Sequence, residues 1–441
     1  MKKIAIVYLA HDGFTSLYTG VGTVARDFLL SFPEVNKILR GDNKNLSLEL
    51  FMGTIKYNKK CFGYSEEVKK GTVFYTKKYK NIHLVELING SGGEKSYGSI
   101  DLWKNACISA ATFVYTLLTS QKFNKVIVVC VDTPFAQVAN YFFDQYQDSN
   151  IDFVWLPQST VMIHKIDSAL GKKFEQNSYL KLRYTWEKGI VDLARKNPQV
   201  KIACVSKFIK KHLIKAYFAK RTSLINLQNG LYFKRLNKYK VSQDKIASIL
   251  KKMGVPLDRP LIFSFGRAES YKGLDLVIKN AKELMSKKNY YLLIIASPYS
   301  IKDSYVSRLN KLIREYPKNS KIVYDLDFLI PHFIMQWKNT MVLALLSRAE
   351  PFGLIPTEAR YYRNKNLTLL VSDLDGFSEQ IKDGIDGFKT KLNNRQIRLK
   401  FNKIAKLGIG KKSIIAQKGY DKAIRLYDQI KINSNFIKKY L

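Results

Sequence analysis

Met341-Val342-Leu343-Ala344-Leu345-Leu346-Ser347-Arg348-Ala349-Glu350-Pro351-Phe352-Gly353-Leu354-Ile355-Pro356-Thr357-Glu358-Ala359-Arg360 is an apolar run that passes through a loop into a helix start. An apolar run without alternation predicts a strand buried on both faces, as in a parallel sheet covered by helices. Proline is tolerated in the first turn of a helix, where its missing amide would be unpaired anyway, so the helix opens near Gly353 to Pro356. Free amides at such a start suit a phosphate. Glu350 falls at the strand exit and Glu358 about one turn into the helix, so both carboxylates can face the anion site from different sides. Carboxylates bind hydroxyls, and the combination fits a sugar nucleotide, with the diphosphate on the amides and one acid each for the sugar and the ribose. Two isolated glutamates would be read more simply, as a strand end and a favourable partner of the helix dipole.

The same strand-then-mixed-segment rhythm runs through the chain and predicts a doubly wound α/β architecture, twice over. Lys3-Leu9, Lys125-Val131, Asp152-Leu156 and Lys201-Val205 read as buried strands of a first half, and Leu261-Phe265, Tyr290-Ala296, Lys321-Leu326, Met341-Leu346 and Leu367-Val371 as those of a second. The polar, Lys-rich stretch after Asn229-Gly230 marks the boundary. The expected domains are therefore residues 1–230, a first Rossmann-like domain with a β-rich insertion around 53–98, and 231–424, a second one. A C-terminal helix over 425–441 is placed to pack back across the first domain. Two such domains facing across a cleft bring strand carboxyl ends, where α/β proteins bind ligands, to one crevice.

A second site lies upstream, in Leu261-Ile262-Phe263-Ser264-Phe265-Gly266-Arg267-Ala268-Glu269-Ser270-Tyr271-Lys272-Gly273. A strand delivers Arg267 and Lys272 to its carboxyl end, where two cations can neutralise a departing diphosphate. A third piece, Ser372-Asp373-Leu374-Asp375-Gly376-Phe377-Ser378-Glu379, reads as a glycine turn into a helix, and the amides of Gly376, Phe377 and Ser378 are placed to grip sugar hydroxyls.

These motifs together resemble the donor domain of retaining GT-B glycosyltransferases of the broad glycogen synthase, sucrose synthase and lipopolysaccharide glycosyltransferase group, group 1 and family 4-like. Their two glutamates eight positions apart around Pro-Phe-Gly match Glu350 and Glu358, and their Gly-Arg and Lys-Gly pair matches Gly266-Arg267 and Lys272-Gly273. The resemblance implies a GT-B fold and a hexosyltransferase acting on a UDP, ADP or GDP sugar. It implies catalytic roles for Arg267, Lys272 and Glu350, and donor contacts from Gly266, Phe352, Gly353, Leu354, Glu358, Gly376 and Phe377. In the first half, Tyr18-Thr19-Gly20-Val21-Gly22 is similar to the glycine-rich loop of glycogen and starch synthases, which adds Gly20 and Gly22 to the donor contacts. Ser96-Tyr97-Gly98, Cys204-Val205-Ser206-Lys207 and Gln228-Asn229-Gly230 are similar to other segments of that group.

Departures fall on the acceptor side. Tyr18 stands where the synthases carry lysine, Val131-Asp132-Thr133-Pro134 replaces a His-Asp-Trp-His run, and Gln158 falls on the position of their active-site histidine. Tyr18, Asp132 and Gln158 are thus acceptor-side candidates, and His164, six residues beyond Gln158, is a candidate to supply the imidazole. These changes argue against a plain glycogen synthase, though an α-glucan polymerase of that type stays an alternative. The acceptor is a saccharide, a lipid-linked sugar or a small molecule.

Seventy-four basic against 36 acidic residues give a formal charge of +38, which draws the chain to anions: nucleotides, polyphosphates, anionic lipid or nucleic acid. Peripheral contact with an anionic membrane is compatible with it. A non-catalytic polyanion or nucleic-acid binder is the rival reading, with its best segment at Lys207-Phe208-Ile209-Lys210-Lys211-His212-Leu213-Ile214-Lys215. A helix packed into the domain with its lysine heads in water explains that segment more economically, and no nucleic acid is expected. A GT-B epimerase is a third option. Asp325-Leu326-Asp327 and Asp373-Leu374-Asp375 resemble the paired aspartates that hold a metal in the other large glycosyltransferase fold. Cations and helix amides already supply positive charge, so neither a metal nor a cofactor is expected beyond the sugar nucleotide as co-substrate. Cys61, Cys107, Cys130 and Cys204 are too scattered for a metal or redox pair and read as buried, reduced thiols. With no signal-like or membrane-spanning run, the expected location is cytoplasmic.

Overall fold

A computed structural model describes residues 2–441 apart from 18, 62, 96–98, 121, 164–165, 168–171, 299 and 326. Apart from a short ribbon of Ile166–Asp167 with Lys172–Lys173, the described residues form two compact units: one runs to Tyr232 and takes back Asp428–Leu441, the other is Phe233–Tyr427.

The first unit is built on strands β1 (Lys2–Leu9), β2 (Leu46–Ile55), β3 (Ile82–Leu87), β4 (Lys125–Val131), β5 (Ile151–Leu156), β6 (Val200–Cys204) and β7 (Leu224–Asn226). They lie in the order β3-β2-β1-β4-β5-β6-β7, and every pairing is parallel. The second unit repeats the plan with β8 (Leu261–Arg267), β9 (Tyr291–Ser297), β10 (Ser320–Tyr324), β11 (Thr340–Leu345), β12 (Thr368–Ser372) and β13 (Phe388–Thr390), ordered β10-β9-β8-β11-β12-β13. Each sheet reverses direction of winding once, between β1 and β4 and between β8 and β11. These are the switch points beyond which α/β folds open a crevice.

Burial on both faces explains the unbroken apolar strands. Ile262, Leu292, Ile294, Val342 and Ala344 pack on one side against Val277, Ile278, Ala281 and Leu284 of the helix Leu274–Lys287. Their neighbours Leu261, Phe263, Leu293, Leu343 and Leu345 pack on the other against Ile246, Leu250, Ile334 and Met335. Alternate residues of a strand point to opposite faces, so both sets must be apolar.

The expected β-rich insertion at 53–98 is corrected by the structure. Thr72-Val73-Phe74-Tyr75, which has strand-like composition, lies within the helix Glu66–Lys78, and β2, this helix and β3 form a regular parallel crossover. Ser65 caps the helix through Val68 N, Glu66 and Glu67 occupy its first turn and Lys77 and Lys78 its last. Capping and charges at both ends outweigh the weak strand preference of β-branched and aromatic residues. Thr72 is buried here, and its hydroxyl donates to Phe14 O at 2.7 Å.

The helix Gln429–Lys438 packs on the helix Gly20–Asp42, with Asn433 Nδ2 donating to Ser31 Oγ at 3.1 Å and Gln429 N to Leu231 O at 3.1 Å. The four cysteines are buried and unbonded to one another. Among the described residues no helix is long and apolar enough to cross a membrane.

Candidate functional site

In the second unit, the adjacent strands β8 and β11 diverge at the switch point and release the loops that carry the motifs. Lys272 Nζ lies 2.7 Å from Glu350 Oε2, with both side chains largely buried, and Ser347 Oγ is 3.4 Å from the same oxygen. The two loops are held against one another by their own backbones. Gly273 sits at φ +66°, and a Cβ there would fall 1.9 Å from Leu346 O, so only glycine permits the approach. Arg348 N donates to Tyr271 O at 2.6 Å, and its guanidinium grips the Asp275 carboxylate with two bonds of 2.9 and 3.0 Å. Burial opposes ionisation of Asp275, but Arg348, Tyr305 and Arg308 together hold its pKa below the usual carboxylate range. Arg267 lies over the Tyr271 ring, with its guanidinium carbon 5.3 Å from the centroid, and donates to the Tyr271 hydroxyl. Lys272 Nζ is 5.2 Å from the same ring, so the two cations flank one tyrosine.

The third loop closes on the second. Glu350 N donates to Asp375 Oδ2 at 3.1 Å and Gly376 N to Glu350 O at 2.9 Å. A Cβ on Gly376 would meet Phe352 Cα and Pro351 O at 2.5 Å, and one on Gly353, at φ +80°, would strike the Phe377 ring at 2.2 Å. Several expectations change here. The amides of Gly376 and Ser378 bond within the protein, to Glu350 O and Leu374 O, and so are not donors for a sugar. Phe352 and Phe377 are buried, packing beneath the loop. The helix after the loop, Ile355–Tyr361, has only seven residues, with Leu354 at its N-cap. Glu358 is buried (7% exposed) with Arg235 Nη2 3.9 Å away. Asp373 pairs with Lys389 at 2.9 Å, Asp375 receives Glu350 N, and Asp325 and Asp327 accept the amides of Asp327 and Leu329, so these aspartates are engaged in shaping loops.

In the first unit the corresponding switch point presents His11 and Asp12 after β1 and Asp132 after β4. Asp12 accepts from Thr19 N and Thr19 Oγ1, both at 2.9 Å, and Thr19 Oγ1 in turn receives Val21 N and Gly22 N. A Cβ on Gly22 would lie 2.5 Å from the Asp12 carboxylate, so this glycine makes room for an acid, which disfavours phosphate there. Gly20 opens the helix with nothing within 4 Å of its Cβ position. Burial, with Arg183 adding to it, pushes the His11 pKa down to about 4.

Asp132 adopts φ +61°, ψ −170°, a region almost confined to glycine. Its frame holds it there. Asp132 N donates to Leu156 O, Trp155 Nε1 donates to Asp132 O at 3.0 Å, and Trp186 Nε1 to Thr133 O at 2.9 Å. Thr133 Oγ1 donates to buried Glu187 at 2.8 Å, and Arg183 bonds both. Asp132 Oδ1 is buried without a hydrogen-bond partner among the described residues. Burial raises its pKa to about 6; Glu187 adds to this and Arg183 opposes it. Gln158 makes a reciprocal amide pair with Asn229, at 2.6 and 3.3 Å. Tyr18, His164 and the Ser96-Tyr97-Gly98 segment lie outside the described residues.

Sequence reasoning missed Asp275, Arg348, Gln380, Arg183, Glu187 and the two tryptophans. Arg348 stands inside the most informative stretch, two residues before Glu350, but an exposed-looking arginine in a loop signals no partner. The others bond residues distant in the chain.

The family model described as glycosyl transferases group 1 matches residues 245–412. Granule-bound starch synthase 1 of Triticum aestivum is 26% identical over 138 residues, which is 31% of this chain and 21% of that protein, so the match spans about a fifth of the relative's length. Among solved structures, sucrose-phosphate synthase from Thermosynechococcus elongatus superposes with a TM-score of 0.68 at 14% identity, covering 100% of this chain and 98% of its own. HepE of Anabaena, in complex with UDP and glucose, gives 0.66 at 15% identity, covering 99% and 98%. Residues 245–412 of this chain thus match the model of the glycosyl transferases group 1 family, and its two Rossmann-like units have the GT-B fold of these solved structures.

Proposed function

We propose that the protein transfers a hexosyl group from a nucleotide diphosphate sugar to a hydroxyl acceptor with retention of configuration. The observation that carries this reading is the 2.7 Å contact of Lys272 Nζ with Glu350 Oε2, made between loops leaving adjacent strands at a switch point. A cation and a carboxylate held together before the donor arrives need no reorganisation to meet a leaving diphosphate on one side and sugar hydroxyls on the other. Arg267 adds a second cation to the same loop. The acceptor oxygen attacks the anomeric carbon on the face from which the diphosphate departs: the bond from carbon to phosphate oxygen breaks, the bond to the acceptor forms, and the acceptor's proton passes to the leaving phosphate. No protein nucleophile and no metal are required by this scheme. Asp132 and Gln158, with Tyr18 and His164, belong to the acceptor side.

The donor is a UDP, ADP or GDP sugar. The acceptor is a saccharide, a lipid-linked sugar or a small molecule, and the charge of +38 favours peripheral contact with an anionic membrane at the cytoplasmic face. Thermal shifts against the three diphosphates and their sugars test the proposal, because selective ligands stabilise the folded state. One nucleotide series is expected to raise the melting temperature, and Lys272→Met to abolish transfer. No shift with any nucleotide, together with salt-sensitive binding of arbitrary DNA, would establish the polyanion-binding alternative instead. At that alternative's best segment, Ile209, Leu213 and Tyr217 form a buried stripe of the helix Lys207–Tyr217, in keeping with a helix packed into the domain.

A further inference from the structure

The loop that follows Glu350 owes its shape to one buried side chain from a different part of the unit. Gln380, 1% exposed at the end of the helix Asp375–Gln380, directs its amide nitrogen at two consecutive carbonyls, Phe352 O and Gly353 O, the latter at 2.7 Å. Its amide oxygen receives the Thr357 hydroxyl at 3.1 Å. The opposite amide orientation would set an oxygen against two carbonyl oxygens, so the hydrogen-bond pattern assigns this one. Gln380 is itself fixed: its main-chain oxygen accepts from Arg360 Nη2 at 3.0 Å and from Lys422 Nζ, and both cations bond the Asp386 carboxylate.

The consequence for the loop follows from peptide geometry. In a planar trans peptide the carbonyl and the next N–H point in opposite directions. With both carbonyls turned toward Gln380, the N–H groups of Gly353 and Leu354 are turned away from it. Gly353 is left-handed at φ +80° and Leu354 right-handed at φ −75°, ψ −30°, the alternation that makes successive amides converge on an anion. Among the described residues neither N–H has a hydrogen-bond partner.

We infer that Gln380 is a positioning residue for the donor's diphosphate: it holds the Phe352 and Gly353 carbonyls on its own side so that the Gly353 and Leu354 amides face the phosphate beside Lys272. This rests on the nucleotide-sugar reading above. Gln380→Met keeps the volume and removes both donated bonds. Affinity for the nucleoside diphosphate, measured by calorimetry with whichever of UDP, ADP or GDP the wild type binds, is expected to fall on the order of 10- to 100-fold, the worth of one or two hydrogen bonds to a charged group. Affinity for the matching nucleoside, which has no phosphate, stays unchanged. The donor KM rises while the acceptor KM does not. Gln380→Glu supplies a second readout and carries the test if the Met variant does not fold. Its ionised carboxylate repels the two carbonyls, whereas the protonated acid donates to one of them, so diphosphate binding recovers as pH falls, unlike that of the wild type. Wild-type diphosphate affinity in Gln380→Met, or equal loss for nucleoside and diphosphate, overturns the inference. A wild type that binds no nucleoside diphosphate defeats the nucleotide-sugar reading itself.

Discussion

Replacing Asp132 by Asn is expected to make the protein more stable at neutral pH and less active. The carboxyl is 6% exposed and its pKa rises from 3.8 to about 6 on folding, chiefly through burial. The native state therefore binds a proton between about pH 4 and 6 that the unfolded chain has released, and stability falls as pH rises through that window. Two units at about 1.4 kcal/mol each place the penalty at roughly 3 kcal/mol above pH 6. Asparagine matches the shape, carries no charge, and can keep an oxygen toward the amides of Thr133 and Gln158 that now hold the carboxylate. Asp132→Asn is thus expected to match the wild type near pH 4 and to exceed it by up to about 3 kcal/mol at pH 7, the size of the linkage term. Urea unfolding followed by tryptophan fluorescence reads this well, because Trp103, Trp155 and Trp186 lie in the first unit and only Trp337 in the second. The comparison must be variant against wild type at each pH, since His11 and His332 titrate in an overlapping range with the opposite sign. Acceptor turnover should fall in the same variant, the pattern of a residue kept for function against stability. A variant less stable than wild type at pH 7, or a stability difference that does not change from pH 4 to 7, would refute the reasoning.

Other outcomes are open to measurement. Lys272→Met and Glu350→Gln should each lower transfer more than about 100-fold, as loss of a preorganised charge does, and the double variant should be more stable than either single one because neither charge is then left alone. Gly273→Ala combines a left-handed φ of +66° with a 1.9 Å clash against Leu346 O; strain of that kind costs about 1–3 kcal/mol before the clash is counted, and circular-dichroism melting should show the second unit strongly destabilised. His332 is held neutral by burial and by Arg235, with its pKa lowered to about 3, so stability should drop as pH falls from 6.5 toward 3; His332→Gln, melted at pH 7 and pH 4, should lose less between the two, by about 3 kcal/mol. Transfer activity is expected to survive chelation, and loss on EDTA treatment with recovery in manganese would overturn the metal-independent scheme.

The chain itself determined the doubly wound architecture and the strands of the second unit, because a parallel strand covered on both faces must be apolar at every position and that pattern is local. It also determined where the second unit's motifs stand, since Glu350-Pro351-Phe352-Gly353 and Gly266-Arg267 with Lys272-Gly273 are contiguous and sit at strand ends. The helix Glu66–Lys78 was misread because β-branched and aromatic residues are ambiguous in short runs, and its anchor, Thr72 on Phe14 O, spans 58 residues. Only the tertiary structure decided which groups the loops leave free. Gly376 gives its amide to Glu350 O, Gly22 makes space for Asp12, and Gln380 turns the Phe352 and Gly353 carbonyls from a position 27 and 28 residues away. The strained backbone of Asp132 likewise depends on Trp155, Trp186, Arg183 and Glu187, through bonds to Asp132 and Thr133 that span up to 54 residues. A motif states which side chains stand at a strand's end; whether its polar atoms are available to a ligand depends on hydrogen bonds from partners that sequence spacing does not reveal.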